Sequence, residues 1–103
     1  MVPRFALSGF VKLASCNSLF ERQNDEVVNG TPAYMDDEGT WLCYNSENKW
    51  WTIQPANYKG TTQGWAHTSK GEAPWDVSAS WKEYDNDEQK WCDATVRVEV
   101  HCR

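Results

Sequence analysis

Residues 41–51 read Trp41-Leu42-Cys43-Tyr44-Asn45-Ser46-Glu47-Asn48-Lys49-Trp50-Trp51, and residues 81–91 read Trp81-Lys82-Glu83-Tyr84-Asp85-Asn86-Asp87-Glu88-Gln89-Lys90-Trp91. Trp41, Tyr44 and Trp51 recur as Trp81, Tyr84 and Trp91, each displaced by 40 residues, and Asn or Asp follows the Tyr in both copies. In each copy β-prone aromatic residues flank a polar, turn-forming segment, which is the pattern of a hairpin. A 40-residue period invites comparison with propeller blades and repeat arrays, but two copies are too few for either. The pattern predicts two similar hairpins in one small antiparallel sheet system, with Trp and Tyr packing across strands.

The flanking sequence is β-prone as well. Val96, Val98 and Val100 alternate with Arg97 and Glu99, the pattern of a strand with one dry and one wet face, and Cys92 and Cys102 share the parity of the valines. Phe5, Leu7, Val11 and Leu13 share one parity in the same way. Gly, Pro, Asn or Asp interrupts nearly every window long enough for an amphipathic helix. One short helical turn is expected near residues 73–77, because Pro74 suits a first helical position. The expected fold is a single all-β domain over residues 1–103, with about six to eight short antiparallel strands forming a compact barrel or a sandwich.

Composition narrows the function classes. The chain has 103 residues, 40% of them hydrophobic, and a formal net charge of −5. Nucleic-acid binding needs Lys and Arg against phosphates, so it is not expected, and no apolar run is long enough for membrane insertion. Seven tryptophans exclude a disordered chain.

Four cysteines lie at 16, 43, 92 and 102 without a Cys-x-x-Cys pair, and His67 and His101 are far apart in sequence, so a structural zinc site is not expected. If residues 91–101 form one continuous strand, Cys92 and Cys102 lie about 33 Å apart, too far for a disulfide. Cys92 would then pair with Cys16 or Cys43, or stay free, and four buried thiols are the alternative to any disulfide. Leu13-Ala14-Ser15-Cys16 is like a lipoprotein cleavage box, but Lys12 interrupts the apolar stretch before it, and strand alternation accounts for the segment better. Asn29-Gly30-Thr31 is a formal glycosylation acceptor and also a first-choice tight turn. The cysteines and this acceptor would suit an extracellular chain, but they do not decide the compartment.

The order of short motifs resembles an informally known β-rich module of about 90–100 residues from proteins of algae, other protists and some animals. Phe5-Ala6-Leu7-Ser8-Gly9, Gly30-Thr31-Pro32-Ala33-Tyr34, Leu42-Cys43-Tyr44 and Trp51-Thr52-Ile53 carry the resemblance, followed by Gly64-Trp65-Ala66, Pro74 with Trp81, and Trp91 with Val96-Arg97-Val98. It covers nearly the whole chain. The chain departs from the module at Asn17-Ser18-Leu19-Phe20, where the module has Asn-Gly-x-Tyr. The resemblance implies a β-domain that accompanies other domains or repeats in tandem, and it implies no catalytic residues.

Candidate sites come from the aromatic residues. Adjacent Trp50 and Trp51 must face opposite ways in a strand. Parity with Asp93, Thr95, Arg97 and Glu99 puts Trp91 on the wet face, whereas its match to Trp51 in the repeat puts it in the core. Asp85-Asn86-Asp87-Glu88 and Asp36-Asp37-Glu38-Gly39 have oxygens for calcium but lack the spacing of a calcium loop, and both read as acidic turns. Neither histidine has a motif partner for nucleophilic or acid–base catalysis. The expectation is a non-catalytic binding module, without metal or cofactor, that recognises a protein or a glycan through surface aromatics. Trp50, Trp65 and Trp75 are the expected ligand-binding anchors. The alternative is a structural or scaffolding domain whose aromatics all lie in the core.

Overall fold

The structure is a computed structural model and describes residues 2–101. Nine strands run in chain order: β1 (Arg4–Ser8), β2 (Leu19–Val28), β3 (Thr31–Met35), β4 (Thr40–Asn45), β5 (Trp50–Pro55), β6 (Ala66–Thr68), β7 (Trp81–Asp85), β8 (Lys90–Ala94) and β9 (Arg97–His101). The all-β expectation holds, but the described residues form nine strands rather than six to eight. The extra strands are short ones. β6 has three residues, fewer than an alternation pattern needs to be seen. Among the described residues, helix is confined to single 3-10 turns at Ala14–Cys16 and Ala56–Tyr58. The turn expected at residues 73–77 is instead two successive tight turns, closed by Asp76 N–H to Ala73 O and Ala79 N–H to Asp76 O.

All strands belong to one antiparallel sheet in the order β8-β7-β6-β5-β4-β3-β2-β1-β9. Among the described residues there is no second sheet to make a sandwich, and the single sheet curls into a half-barrel. The reason lies at residues 94–97. β8 and β9 form opposite edges, yet only Thr95 and Val96 join them. Eight inter-strand spacings of about 4.8 Å would separate the edges of a flat sheet by about 38 Å. A link of three peptide units spans at most about 11 Å. The sheet must therefore roll until its two edges meet at this corner. Gly9 makes room there: its φ is +106°, and a Cβ at this position would sit 2.1 Å from the Thr95 carbonyl oxygen. Residues 91–101 are thus two strands on two edges, not one strand, although Val96 and Val98 still face the core across the break. Likewise β1 stops at Ser8, so Phe5 and Leu7 are buried while Val11 lies outside the strand and is exposed.

The inner side of the curl is filled by rings. Phe5, Phe20, Tyr34, Trp51, Phe10 and Trp81 are buried together with Leu7, Leu42, Ile53 and Cys16. Tyr34 is the hub, with ring centroids 4.8 Å from Phe5, 6.2 Å from Trp51 and 5.9 Å from Trp75. Such tilted and edge-on pairs each add about 0.5–1.5 kcal/mol beyond the area they bury. Its hydroxyl reaches the Val2 carbonyl. A chain poor in Leu and Ile thus builds its core from aromatic rings.

Polar side chains tie down the loop between β1 and β2. Asn17 copies a backbone unit: its Oδ1 accepts from Phe10 N–H and its Nδ2 donates to Phe10 O. The Glu83 carboxylate on β7 accepts the N–H groups of Val11, Lys12 and Leu13 at 3.1, 2.7 and 2.9 Å. This loop contains the segment that resembles a lipoprotein box, and Cys16 at its end is wholly buried.

The two repeated hairpins are alike in detail. Tyr44 pairs with Trp51 and Tyr84 with Trp91. Asn45 Oδ1 accepts from Glu47 and Asn48 N–H, and Asp85 Oδ1 from Asp87 and Glu88 N–H. Each turn ends on a residue of positive φ, Lys49 at 61° and Gln89 at 54°. Yet the copies face opposite ways. Trp51 is 6% exposed in the core and Trp91 is 41% exposed on the outer face, while Trp41 lies outside the curl and Trp81 inside. The cause is topological. β7 stands three places from β4, so alternation reverses its direction, while the order of first and second strand across the sheet is unchanged. Only a half-turn about an axis in the sheet plane does both, and that half-turn exchanges the faces. Parity was right about Trp91, and its match to Trp51 in the repeat, which put it in the core, gives its place in the hairpin but not its burial.

Candidate functional site

The outer face of β5–β8 carries a connected row of rings. Trp50 stacks on His67 with centroids 3.8 Å apart and planes 9° from parallel. Trp91 meets the other side of this pair, with its ring 4.7 Å from His67, and Tyr84 abuts Trp91 at 5.3 Å. Trp91 is therefore exposed but supported. Its ring is braced by two neighbours and leaves about two-fifths of its surface to solvent.

Beside Trp91 opens a groove of about 360 Å³, near the lower end of the range for small-molecule sites. Trp65, Tyr84 and Trp91 supply its aromatic wall, and Thr62, Gln63 and Asn86 its polar groups. Pro55, Tyr58 and Gly64 complete the lining. Asn86 comes from the tip of the second hairpin. The other polar groups come from the loop between β5 and β6, which lies across the outer face of β4 and β5.

That loop is held from beneath. Gln54, fully buried, accepts Gly60 N–H through Oε1 at 2.9 Å and donates through Nε2 to the carbonyls of Gln63 (2.5 Å) and Thr61 (3.4 Å). Asn45 and Asn29 donate to Thr61 O and Gly60 O. Gly64 approaches so closely that a Cβ would lie 2.1 Å from Thr52 Cγ2 and 2.8 Å from the Ile53 carbonyl oxygen. The groove wall is thus fixed by buried amides, not by its own side chains. The Asn29 amide of the formal acceptor also donates to Tyr44 O at 2.8 Å, so the turn uses the nitrogen that a glycan would need.

His67 is 6% exposed, and its Nδ1 lies 2.8 Å from Thr68 O. A carbonyl only accepts, so Nδ1 carries the proton and Nε2 the lone pair. Burial lowers the His67 pKa below the ordinary histidine value. The Thr68 carbonyl opposes that shift and the nearby Lys82 ammonium adds to it, so the ring is neutral at pH 7.

The expected anchors separate. Trp65 lines the groove, and Trp50 lies behind it as the support of His67 and, through it, Trp91. Trp75 is elsewhere: it packs on Trp51 at 5.5 Å and on Phe5 at 6.3 Å, as part of the inner ring cluster. The groove residue that the anchor choice left out is Trp91, which its wet-face parity had marked. Thr62, Gln63 and Asn86 had no signal beyond being turn formers.

The acidic turns are structural. Asp36 Oδ1 accepts Glu38 and Thr40 N–H at 2.9 Å, as Asp85 does in its own turn, and among the described residues no three His, Cys, Asp or Glu side chains converge to hold a metal. Cys16, Cys43 and Cys92 are free thiols, with Cys16 in the inner cluster and Cys43 in the outer one. The fourth cysteine, Cys102, lies outside the described residues. No helix among them is long and apolar enough to cross a membrane. Neither a protein-family model, nor a curated protein, nor a solved structure matches the chain.

Proposed function

We propose that this chain is a non-catalytic binding module that takes a glycan in the outer groove. The observation that supports it is Trp91: a large ring 41% exposed, yet braced by His67 and Tyr84 beside unpaired amide and hydroxyl groups. Tryptophan is normally covered unless a contact needs it, and a pre-braced ring loses little freedom when a ligand stacks on it. A sugar ring offers an apolar C–H face for the indole and a rim of hydroxyls for the amides. A protein side chain in the same groove is the competing occupant. The second reading, a scaffolding domain without a ligand site, draws on the burial of Trp41, Trp51 and Trp81 and on the core position of Trp75. It leaves the exposure of Trp91 without a purpose.

A glycan-array screen of the full chain, followed by tryptophan fluorescence titration with acrylamide, tests the proposal. A glycan that binds and shields one quenchable tryptophan, with the shielding absent in Trp91→Phe, is the expected result. No array signal together with no ligand-dependent shielding would favour the scaffolding reading.

A further inference from the structure

We infer that the groove selects uncharged saccharides and rejects acidic ones. The inference rests on the glycan-binding reading and adds the ligand class. Among the described residues, no Asp, Glu, Lys, Arg or His side chain lines the groove. Three lysines of the flanking strands and turns face carboxylates, and Asp87, next to the lining residue Asn86, is an exposed acid. Lys82 binds Asp93 at 2.7 Å, Lys90 binds Glu88 at 2.8 Å, and Lys12 lies 3.5 Å from Asp85. Lys59, next to the lining residue Tyr58, is turned away. Its ammonium sits 4.1 Å from the centre of the Trp41 ring and 3.3 Å from Glu26. His67 is neutral and screened by Trp50 and Trp91.

A uronate or sulfated sugar would therefore enter the groove without a cation to meet it, on a chain whose net charge is −5. Bringing an anion out of water without a partner is strongly unfavourable. A sugar hydroxyl both donates and accepts. The Gln63 and Asn86 amides and the Thr62 hydroxyl do both as well, and none of these side chains has a hydrogen-bond partner among the described residues. The groups left open in the groove thus match hydroxyls and offer nothing specific to a carboxylate.

The test is isothermal titration of the full chain with two sets of probes at low and at raised salt. The neutral set is the hexamers of β-1,4-glucose, α-1,4-glucose and β-1,4-N-acetylglucosamine. The acidic set is oligogalacturonate and heparin fragments. The expected result is binding within the neutral set that does not change with salt, weakened about tenfold or more in Trp91→Ala and less in Trp91→Phe. Melting curves show whether each variant is folded, and Trp91→Phe stands in if Trp91→Ala is not. Preferential, salt-sensitive binding of the acidic probes that still depends on Trp91 overturns the uncharged class and leaves the glycan groove standing. Failure of every probe to bind, or binding that a folded Trp91 variant does not alter, overturns both.

Discussion

Trp51 and Trp91 hold the same place in two like hairpins and lie on opposite faces of one sheet. Each meets its cross-strand Tyr edge-on, Tyr44 at 5.7 Å and Tyr84 at 5.3 Å, so the local pairing is conserved while the environment is exchanged. Replacing each with Ala should therefore give unlike results. Trp51→Ala opens a cavity among Tyr34, Tyr44 and Trp75 and should cost about 3–5 kcal/mol. Trp91→Ala removes a ring already two-fifths in water and should cost about 1 kcal/mol. Urea melts of the two variants measure both. Equal losses would contradict the inversion of faces.

The Glu83 carboxylate holds three backbone N–H groups of the loop after β1. Glu83→Gln turns one acceptor oxygen into an NH₂ group that faces donors. With a partly buried donor left unsatisfied, the expected loss is about 1–2 kcal/mol. Amide exchange of Val11, Lys12 and Leu13 should accelerate well before the rest of the sheet opens. Unchanged protection at these amides would show that Glu83 is not what holds the loop.

His67 gives the fold a pH dependence of definite sign. Its folded pKa lies below the ordinary value because the ring is buried, so the unfolded chain takes up a proton more readily. The stability linked to His67 is complete above about pH 6.5, the unfolded value, and is lost as pH falls from there toward the folded value. Melting temperature should decline over that range in the parent chain and decline less in His67→Phe. Proton NMR of the His67 ring should show a midpoint below that of a free histidine.

Thr52 lies under the loop that walls the groove, 3% exposed, and its hydroxyl has no hydrogen-bond partner among the described residues. Valine has nearly the same shape without the unsatisfied oxygen. Thr52→Val should raise stability by about 1 kcal/mol, the reverse of what a threonine-to-valine change at a bonded site does. Thermal melts decide the sign.

The cysteines should differ in reactivity. Burial pushes the Cys16 and Cys43 thiols up to about 12, so hardly any thiolate is present at neutral pH. Cys92 is half-buried and lends its thiol to the Glu83 carbonyl at 3.4 Å. Timed alkylation with peptide mapping should label Cys92 first in the native chain, and Cys16 and Cys43 only on unfolding. Prompt labelling of Cys43 would mean that the loop above it opens freely.

Much of this architecture was legible in the residues. The Tyr-to-Trp spacing specified both hairpins, and the valine alternation specified the inward side of β9. Local pattern does not carry the position of a strand in the sheet. The break at Thr95 and Val96 interrupts no parity, so one strand and two strands read alike. The groove was half legible. Trp91 and Trp65 are large and conspicuous, but Thr62, Gln63 and Asn86 acquire meaning only when Gln54 folds the loop toward the second hairpin. Trp75 misled because it lies outside the repeated hairpins, so no pattern marked it as core, while its packing partners, Phe5, Tyr34 and Trp51, are distant in sequence.

Thr95 and Val96 do more than bend the sheet. They make its two free margins a single ribbon, so β8 cannot be stripped from β7 without tension reaching β9 and, through it, β1. In most open sheets each border strand frays independently and sets its own local opening. Here the borders are tethered at one corner, next to a Gly9 that admits no side chain. Fraying at either border should therefore be felt at the other, and the two border strands of the sheet become one cooperative unit.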